Sequence, residues 1–166
     1  MPVQNPSPDN VLTTILFNSP ANDGGSTSAS PGASGPIDGA DGIKAIQDAT
    51  HVEAVVAAMR KHAEIAELQH EACKTLLRNN TGNEDFRAKA GNAGAVEAVV
   101  AAMQGHREHA ELQRAACMML ICTNTGNADN SAKAGTAGAI DAVVVAMQGH
   151  IEHAELQLAA CRCCFS

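Results

Sequence analysis

The chain has 166 residues, a formal net charge of −7, and neither Trp nor Tyr, so small and medium apolar side chains must form its core. Nucleic acid is not an expected partner of so acidic a chain. A membrane helix is not expected either, because no apolar run approaches the roughly 20 residues that it needs.

An N-terminal tail comes first in the chain. Residues 18–42 are almost wholly Asn, Ser, Pro, Ala, Asp, Gly and Thr, and Ile37 is their only large apolar residue. Because such a segment cannot bury enough apolar surface to offset the entropy of ordering, we predict a disordered tail over residues 1–38. The run Val11–Phe17 is predicted to be marginally ordered, with a docking peptide as the alternative.

The same early run bears on the cellular compartment. No Lys or Arg precedes Val11–Phe17, and the first basic residue is Lys44. A secretory signal needs a basic start, so we expect none. We therefore expect a cytoplasmic protein whose six cysteines are reduced thiols.

A repeat with a period of 44 residues follows the tail. The segment Val52–Met59 recurs as Val96–Met103 and again as Ile140–Met147, without a gap. Val52, Val55, Val56 and Met59 have the spacing of one helical face, which predicts a helix in each copy. A longer helix is predicted to start near Ala66 and at its two counterparts.

A short helix is predicted between successive copies. Asn83 and Asn127 are good N-cap residues, and each is followed by an Asp in the first turn, where the helix dipole favours acids. Gly94 and Gly138 then separate this short helix from the next one.

A short, a medium and a longer helix within 44 residues match the class of helical repeats of about 40–47 residues. The segments Asn83–Met103 and Asn127–Met147 resemble the first and second helices of the armadillo repeat, and Glu67–Gln69 resembles the start of its third helix. Residues 39–166 resemble multi-repeat armadillo proteins of protists and the armadillo region of leucine-rich-repeat kinases.

This resemblance implies an all-α fold, a right-handed superhelical armadillo-type solenoid behind the disordered tail. Its units are 39–82, 83–126 and an incomplete 127–166.

In the armadillo family the third helices line a groove, and ligand-binding members carry a Trp there with an Asn four residues later. The corresponding pairs here are Lys74 with Arg78, Met118 with Cys122, and Arg162 with Ser166. The extended-peptide mode of nuclear import receptors is therefore not expected. Because residues four apart share a helical face, we predict instead a partner-binding groove strip. It consists of His70, Lys74, Arg78, Arg114, Met118 and Arg162.

This groove strip is predicted to be basic and narrow, because Glu67, Glu71, Glu111 and Glu155 are expected on other faces of the helices. A basic strip in an acidic chain favours an acidic segment of a protein or peptide as its ligand. The alternative is that these are ordinary solvated helix residues.

Neither catalysis nor metal binding is expected. The His residues recur with the repeat, whereas a catalytic site is a single asymmetric constellation. The single CxxC spacing, Cys161 with Cys164, has no second pair to complete a site, and no HExxH spacing is present, so we predict no metal and no cofactor. Cys73, Cys117 and Cys161 are predicted to be buried packing residues. The match of residues 163–166 to a prenylation pattern is interpreted as coincidence.

The sequence thus predicts a non-catalytic protein–protein interaction scaffold that binds a partner along the third-helix groove. The alternative is a self-associating assembly module or a fragment of a longer armadillo array. Arrays of this kind need polar capping units, and no cap follows Leu156, Cys161 and Phe165 at the C-terminal edge. We accordingly expect a marginally stable or self-associating chain.

Overall fold

The computed structural model describes residues 39–47 and 51–164, and within these ranges all regular structure is α-helical. The predicted tail 1–38 and the edge residue Phe165 lie outside the described residues. The helices are α1 Gly39–Gln47, α2 Val52–Lys61, α3 Ala66–Asn80, α4 Glu84–Ala93, α5 Ala95–Gly105, α6 Ala110–Asn124, α7 Ala128–Ala137, α8 Ala139–Gly149 and α9 Ala154–Cys164. The prediction of an all-α fold is confirmed.

The short helices α4 and α7 begin as their sequences predict. The Asn83 side-chain oxygen accepts a hydrogen bond from the Phe86 amide at 3.0 Å, and Asn127 accepts one from the Asn130 amide at 3.0 Å. Each bond satisfies an amide that has no partner within its helix. Gly94 and Gly138 follow these helices with φ of +80°, a left-handed conformation that side chains disfavour.

Helices pack against their counterparts 44 residues away. The longer helices α3, α6 and α9 lie in one row, with α3 against α6 and α6 against α9. The medium helices α2, α5 and α8 contact one another in the same order, as do α4 and α7. Equivalent helices of successive repeats are therefore packed against one another, whereas α1 packs chiefly against α3.

The apolar face predicted for the medium helix is buried in the first two units. Val52 and Val56 are each 2% exposed, and their counterparts Val96 and Val100 are at most 1% exposed. At α3, α6 and α9, the residue that forms the centre of the packing is a fully buried leucine: Leu68, Leu112 and Leu156.

One expectation at the C-terminal edge is wrong. Leu156 is fully buried, as are its counterparts Leu68 and Leu112. Cys161, in contrast, is exposed, although its counterparts Cys73 and Cys117 are buried. No element of the described chain packs beyond α9, so the position that is interior in the first two units lies on the surface in the third.

Gly91 in α4 permits a close approach between the second and third units. A Cβ atom at this position would collide with the side-chain oxygen of Asn130. That side chain is 1% exposed and donates to the carbonyl oxygens of Arg87 and Thr123, both at 3.1 Å. The counterpart of Gly91 in α7 is Gly135, where a Cβ atom would meet nothing within 4 Å.

Substitution of alanine at these two glycines is expected to have opposite effects. Gly91→Ala displaces Asn130 from its hydrogen bonds and should lower the free energy of unfolding by about 1–3 kcal/mol. Gly135→Ala only removes a flexible helical residue and should raise it by about 0.5–1 kcal/mol. Urea unfolding followed by circular dichroism measures both values, and equal effects of the two variants would contradict the described joint.

Candidate functional site

The predicted groove strip lies on the row formed by α3, α6 and α9. His70, Lys74 and Arg78 belong to α3, Arg114 and Met118 to α6, and Arg162 to α9. Because these three helices pack side by side, the structure places the residues along one row of helices. Lys74, Arg78 and Arg162 are exposed, whereas His70, Arg114 and Met118 are half-buried.

Acidic side chains accompany the basic ones on this surface. The Lys74 ammonium lies 2.7 Å from a Glu71 carboxylate oxygen, and the Arg114 guanidinium lies 3.0 Å from Glu111. Arg114 also approaches Glu155 of the next unit at 3.8 Å. The expectation that these acids occupy other faces is wrong. Glu71 and Glu111 lie three residues before their basic partners, a spacing that brings the two side chains together, and Glu155 approaches Arg114 from the neighbouring helix α9.

Arg78 has a contact of a different kind. Its guanidinium donates a hydrogen bond to the carbonyl oxygen of Gln47, the last residue of α1, at 3.1 Å. The Gln47 side chain in turn donates to Glu71 at 3.0 Å. Arg78 thereby holds the C-terminal end of α1 against α3, so the most N-terminal part of the groove strip has a structural role.

The His residues that begin the longer helices connect neighbouring units. In His109 one ring nitrogen, Nδ1, accepts a hydrogen bond from the Leu112 amide at 3.2 Å and so caps α6. The other, Nε2, lies 3.3 Å from a Glu67 oxygen of the preceding unit. His153 repeats the arrangement one unit later, where its Nε2 lies 3.2 Å from Glu111.

A second set of His residues contacts backbone carbonyls across the same joints. Nε2 of His106 lies 2.7 Å from the carbonyl oxygen of Ala63, and Nε2 of His150 lies 2.8 Å from that of Arg107. Within the second unit, the Gln113 side chain donates to two carbonyl oxygens of the preceding turn region, those of Met103 at 2.8 Å and His106 at 2.9 Å.

These contacts were missed by reasoning from the sequence, although their signal is present in it. His106 and His150, and likewise Gln69, Gln113 and Gln157, recur at the 44-residue offset of the repeat. A polar residue that recurs with a structural period indicates a contact that also recurs with it. The imidazoles of His106 and His150 join neighbouring units, and the glutamine amides join the medium and longer helices within one unit.

A second candidate surface lies at the free side of the third unit. Ile140 is 64% exposed and Val144 is 40% exposed, whereas their counterparts Val96 and Val100 are buried. Ile151 and Leu158 are exposed as well. A shallow cavity of about 170 Å³ adjoins Ile140 and is lined among others by Gly135 and Cys164. We name Ile140, Val144 and Ile151 the C-terminal face.

The cysteines nearest the core are poor nucleophiles. Burial raises the pKa of Cys73 to about 12 and that of Cys163 to about 11. A thiol with so high a pKa is protonated at neutral pH, and the thiolate is the reactive form. Among the described residues no group of three or more His, Cys, Asp or Glu side chains could hold a metal ion.

None of the helices described above is long and apolar enough to cross a membrane. Comparisons with protein-family models, curated proteins and solved structures gave no match to this chain.

The pKa of His70 is lowered, first by burial and then by the Lys74 ammonium, while Glu71 acts in the opposite direction. His70 also lies beside His109, with ring centroids 5.8 Å apart. As the pH falls, His70 becomes protonated near its ordinary pKa of 6.5 in the unfolded chain, and only at a lower pH in the folded chain. Stability is therefore lost as the pH falls through 6.5.

We expect the free energy of unfolding to decline between pH 7.5 and pH 5.5 (roughly one unit on either side of the ordinary value). In His70→Gln this decline should be smaller, because the variant has no proton to take up at this position. Urea unfolding at several pH values gives the two slopes. A decline that is as steep in His70→Gln as in the parent chain would contradict the assignment.

Proposed function

We propose that this chain is an armadillo-type solenoid that serves as a non-catalytic protein-interaction scaffold in the cytoplasm. The observation that carries the proposal is the row of equivalent longer helices, α3, α6 and α9, each packed against the next. Stacked three-helix units with a 44-residue period are typical of scaffolds that present such a row to a partner.

The proposed binding surface is the groove strip His70, Lys74, Arg78, Arg114, Met118 and Arg162. Because Glu71, Glu111 and Glu155 form ion pairs with its basic residues, this surface carries both positive and negative charges and is not uniformly basic. Ion pairs at the surface contribute little to the stability of the fold, so a ligand can replace the glutamate of such a pair with little loss of free energy. The proposed ligand is a segment of a protein or peptide whose carboxylates replace those of the glutamates.

An assembly function is the second candidate, and a specific observation favours it. The C-terminal face exposes Ile140 and Val144, at positions whose counterparts in the second unit belong to the core. Apolar side chains that are contiguous and exposed mark surfaces of interaction. In this role the chain is a module that joins a further copy or a further unit of an armadillo array.

A peptide-display selection tests the groove directly. We expect enrichment of acidic peptides that bind more weakly at high salt, because exposed charges are screened. The paired variant Lys74→Glu with Arg114→Glu should weaken binding by about tenfold or more, because it replaces two attractive charges with repulsive ones. Arg78 is left intact, since it holds α1.

The matched control is Lys61→Glu with Lys89→Glu, which changes the net charge equally at exposed residues of α2 and α4. It should bind the selected peptides as the parent chain does. Equal loss in both variants would show that only net charge matters, and absence of any enriched peptide would contradict the groove proposal.

A further inference from the structure

Two crevices lie at the joints between successive medium helices. The first has a volume of about 230 Å³, lies between α2 and α5, and is walled largely by Ala98, Ala101 and Ala102 of α5. The second has a volume of about 80 Å³ and lies between α5 and α8. Every residue that lines the first crevice has its counterpart, 44 residues later in the chain, in the lining of the second. Both crevices lie between described units, so neither is produced by an end of the stack.

Two positions in the lining account for the difference in volume. Where the first crevice has Ala63 and Ala101, the second has Arg107 and Val145. The larger side chains take up space at the second joint. An apolar cavity of about 150 Å³ holds a molecule as large as benzene. The first crevice therefore has room for a large aliphatic side chain, whereas the second has room only for a small one.

The charges that border the two crevices also differ. Arg60 is exposed, and among the described residues that line the first crevice it is the only charged one. Its side chain lies against Gly94 of the next unit, where a Cβ atom would collide with it. The second crevice is lined by charges of both signs, those of Arg107 and Asp141. A ligand carboxylate is therefore favoured beside the first crevice, where a guanidinium can donate two hydrogen bonds to it.

The distance between the crevices restricts the conformation of a ligand that fills both. Packed helices lie about 8–10 Å apart, so equivalent points at successive joints are separated by about that distance. In a polyproline II helix, residues three apart lie on the same side and about 9 Å from each other. Residues on one side of a β-strand are separated by about 6.6 Å or about 13 Å. The polyproline II conformation therefore matches the crevices, and an extended strand does not.

We propose that a polyproline II segment of a partner protein binds across the medium helices. A large aliphatic side chain of this segment enters the first crevice, a small side chain three residues away enters the second, and a carboxylate next to the large residue pairs with Arg60. Because a polyproline II segment is already ordered before it binds, it loses little conformational entropy. The proposed site goes beyond the function proposed above, since it uses neither the groove strip nor the C-terminal face.

A peptide-display selection against the full chain tests the spacing. The library consists of short proline peptides with two random positions that lie three residues apart. We expect enrichment of peptides that carry Leu, Ile or Met at one random position and Gly, Ala or Ser at the other. In a second library the random positions lie four residues apart, and this library should yield no binder. Equal enrichment from both libraries would overturn the proposed register.

Binding of the enriched peptide to variants then tests the crevices. Ala101→Val narrows the first crevice in the way that Val145 narrows the second. It should weaken binding about tenfold or more, because the ligand loses the burial of its aliphatic side chain. Ala88→Val makes the same change at an exposed residue of α4 and should bind as the parent chain does. Ala101 is exposed as well, so we expect both variants to fold, which circular dichroism checks.

Val145→Ala provides a test that does not depend on a loss of binding. This substitution widens the second crevice, so a peptide with Leu at both random positions should bind the variant about tenfold more tightly than it binds the parent chain. Unchanged affinity in both Ala101→Val and Val145→Ala would show that the peptide does not occupy the crevices.

A glutamate placed next to the large residue of the peptide tests the charge at the first crevice. It should strengthen binding to the parent chain about threefold at low salt and leave binding to Arg60→Gln unchanged. The paired groove variant Lys74→Glu with Arg114→Glu should bind the proline peptide as the parent chain does, and loss of binding there would overturn the proposed site. If neither proline library gives a binder while acidic peptides still bind the groove strip, this inference is wrong and the proposed function stands.

Discussion

The joint between neighbouring units is the constraint on which the rest of this structure depends. The described helices have 9–15 residues, and isolated helices of about this length are marginal in water. Without Trp or Tyr, each unit has only small and medium side chains to bury, so a single unit encloses little apolar area. Stability comes from stacking, in which the medium helices and the longer helices of one unit pack against their counterparts in the next, with Met59 and Met103 beside the alanines of α5 and α8. The inter-unit bonds of His106 and His150 and the Gly91–Asn130 contact then fix the register between units.

The same residue type takes different roles according to its neighbours. Val100 is part of the core because a unit follows it, and Val144 lies on the surface because the described chain places nothing against it. The two ends of the described stack differ, because α1 packs against α3 at one end and the exposed Ile140 and Val144 lie at the other. The groove strip, in contrast, lies along the row of longer helices and exists wherever the units stack. The two proposed functions therefore use different surfaces of one repeated design.

Much of the fold could be predicted from the sequence, because the helix caps, the glycines and the apolar positions all recur every 44 residues. The Asn caps, the Gly bends and the buried face of Val52–Met59 follow from local chemistry and are present in the structure. The site was less predictable. That Glu71 and Glu111 would turn toward Lys74 and Arg114 depends on side-chain reach, which helical spacing permits but does not require. That Cys161 is exposed while Cys73 is buried depends on which neighbour is present, a property of the stack rather than of the unit.

Native-state hydrogen exchange at low protein concentration tests most directly whether neighbouring units stabilise one another. The middle unit has a neighbour on both sides, so the interior amides of α5 should exchange more slowly than their counterparts in α8, by roughly tenfold or more. The two helices have nearly the same sequence, which removes intrinsic propensity as a cause. Equal protection in α5 and α8, or slower exchange in α8, would contradict the account, because the stability of a unit would then be independent of what lies beside it.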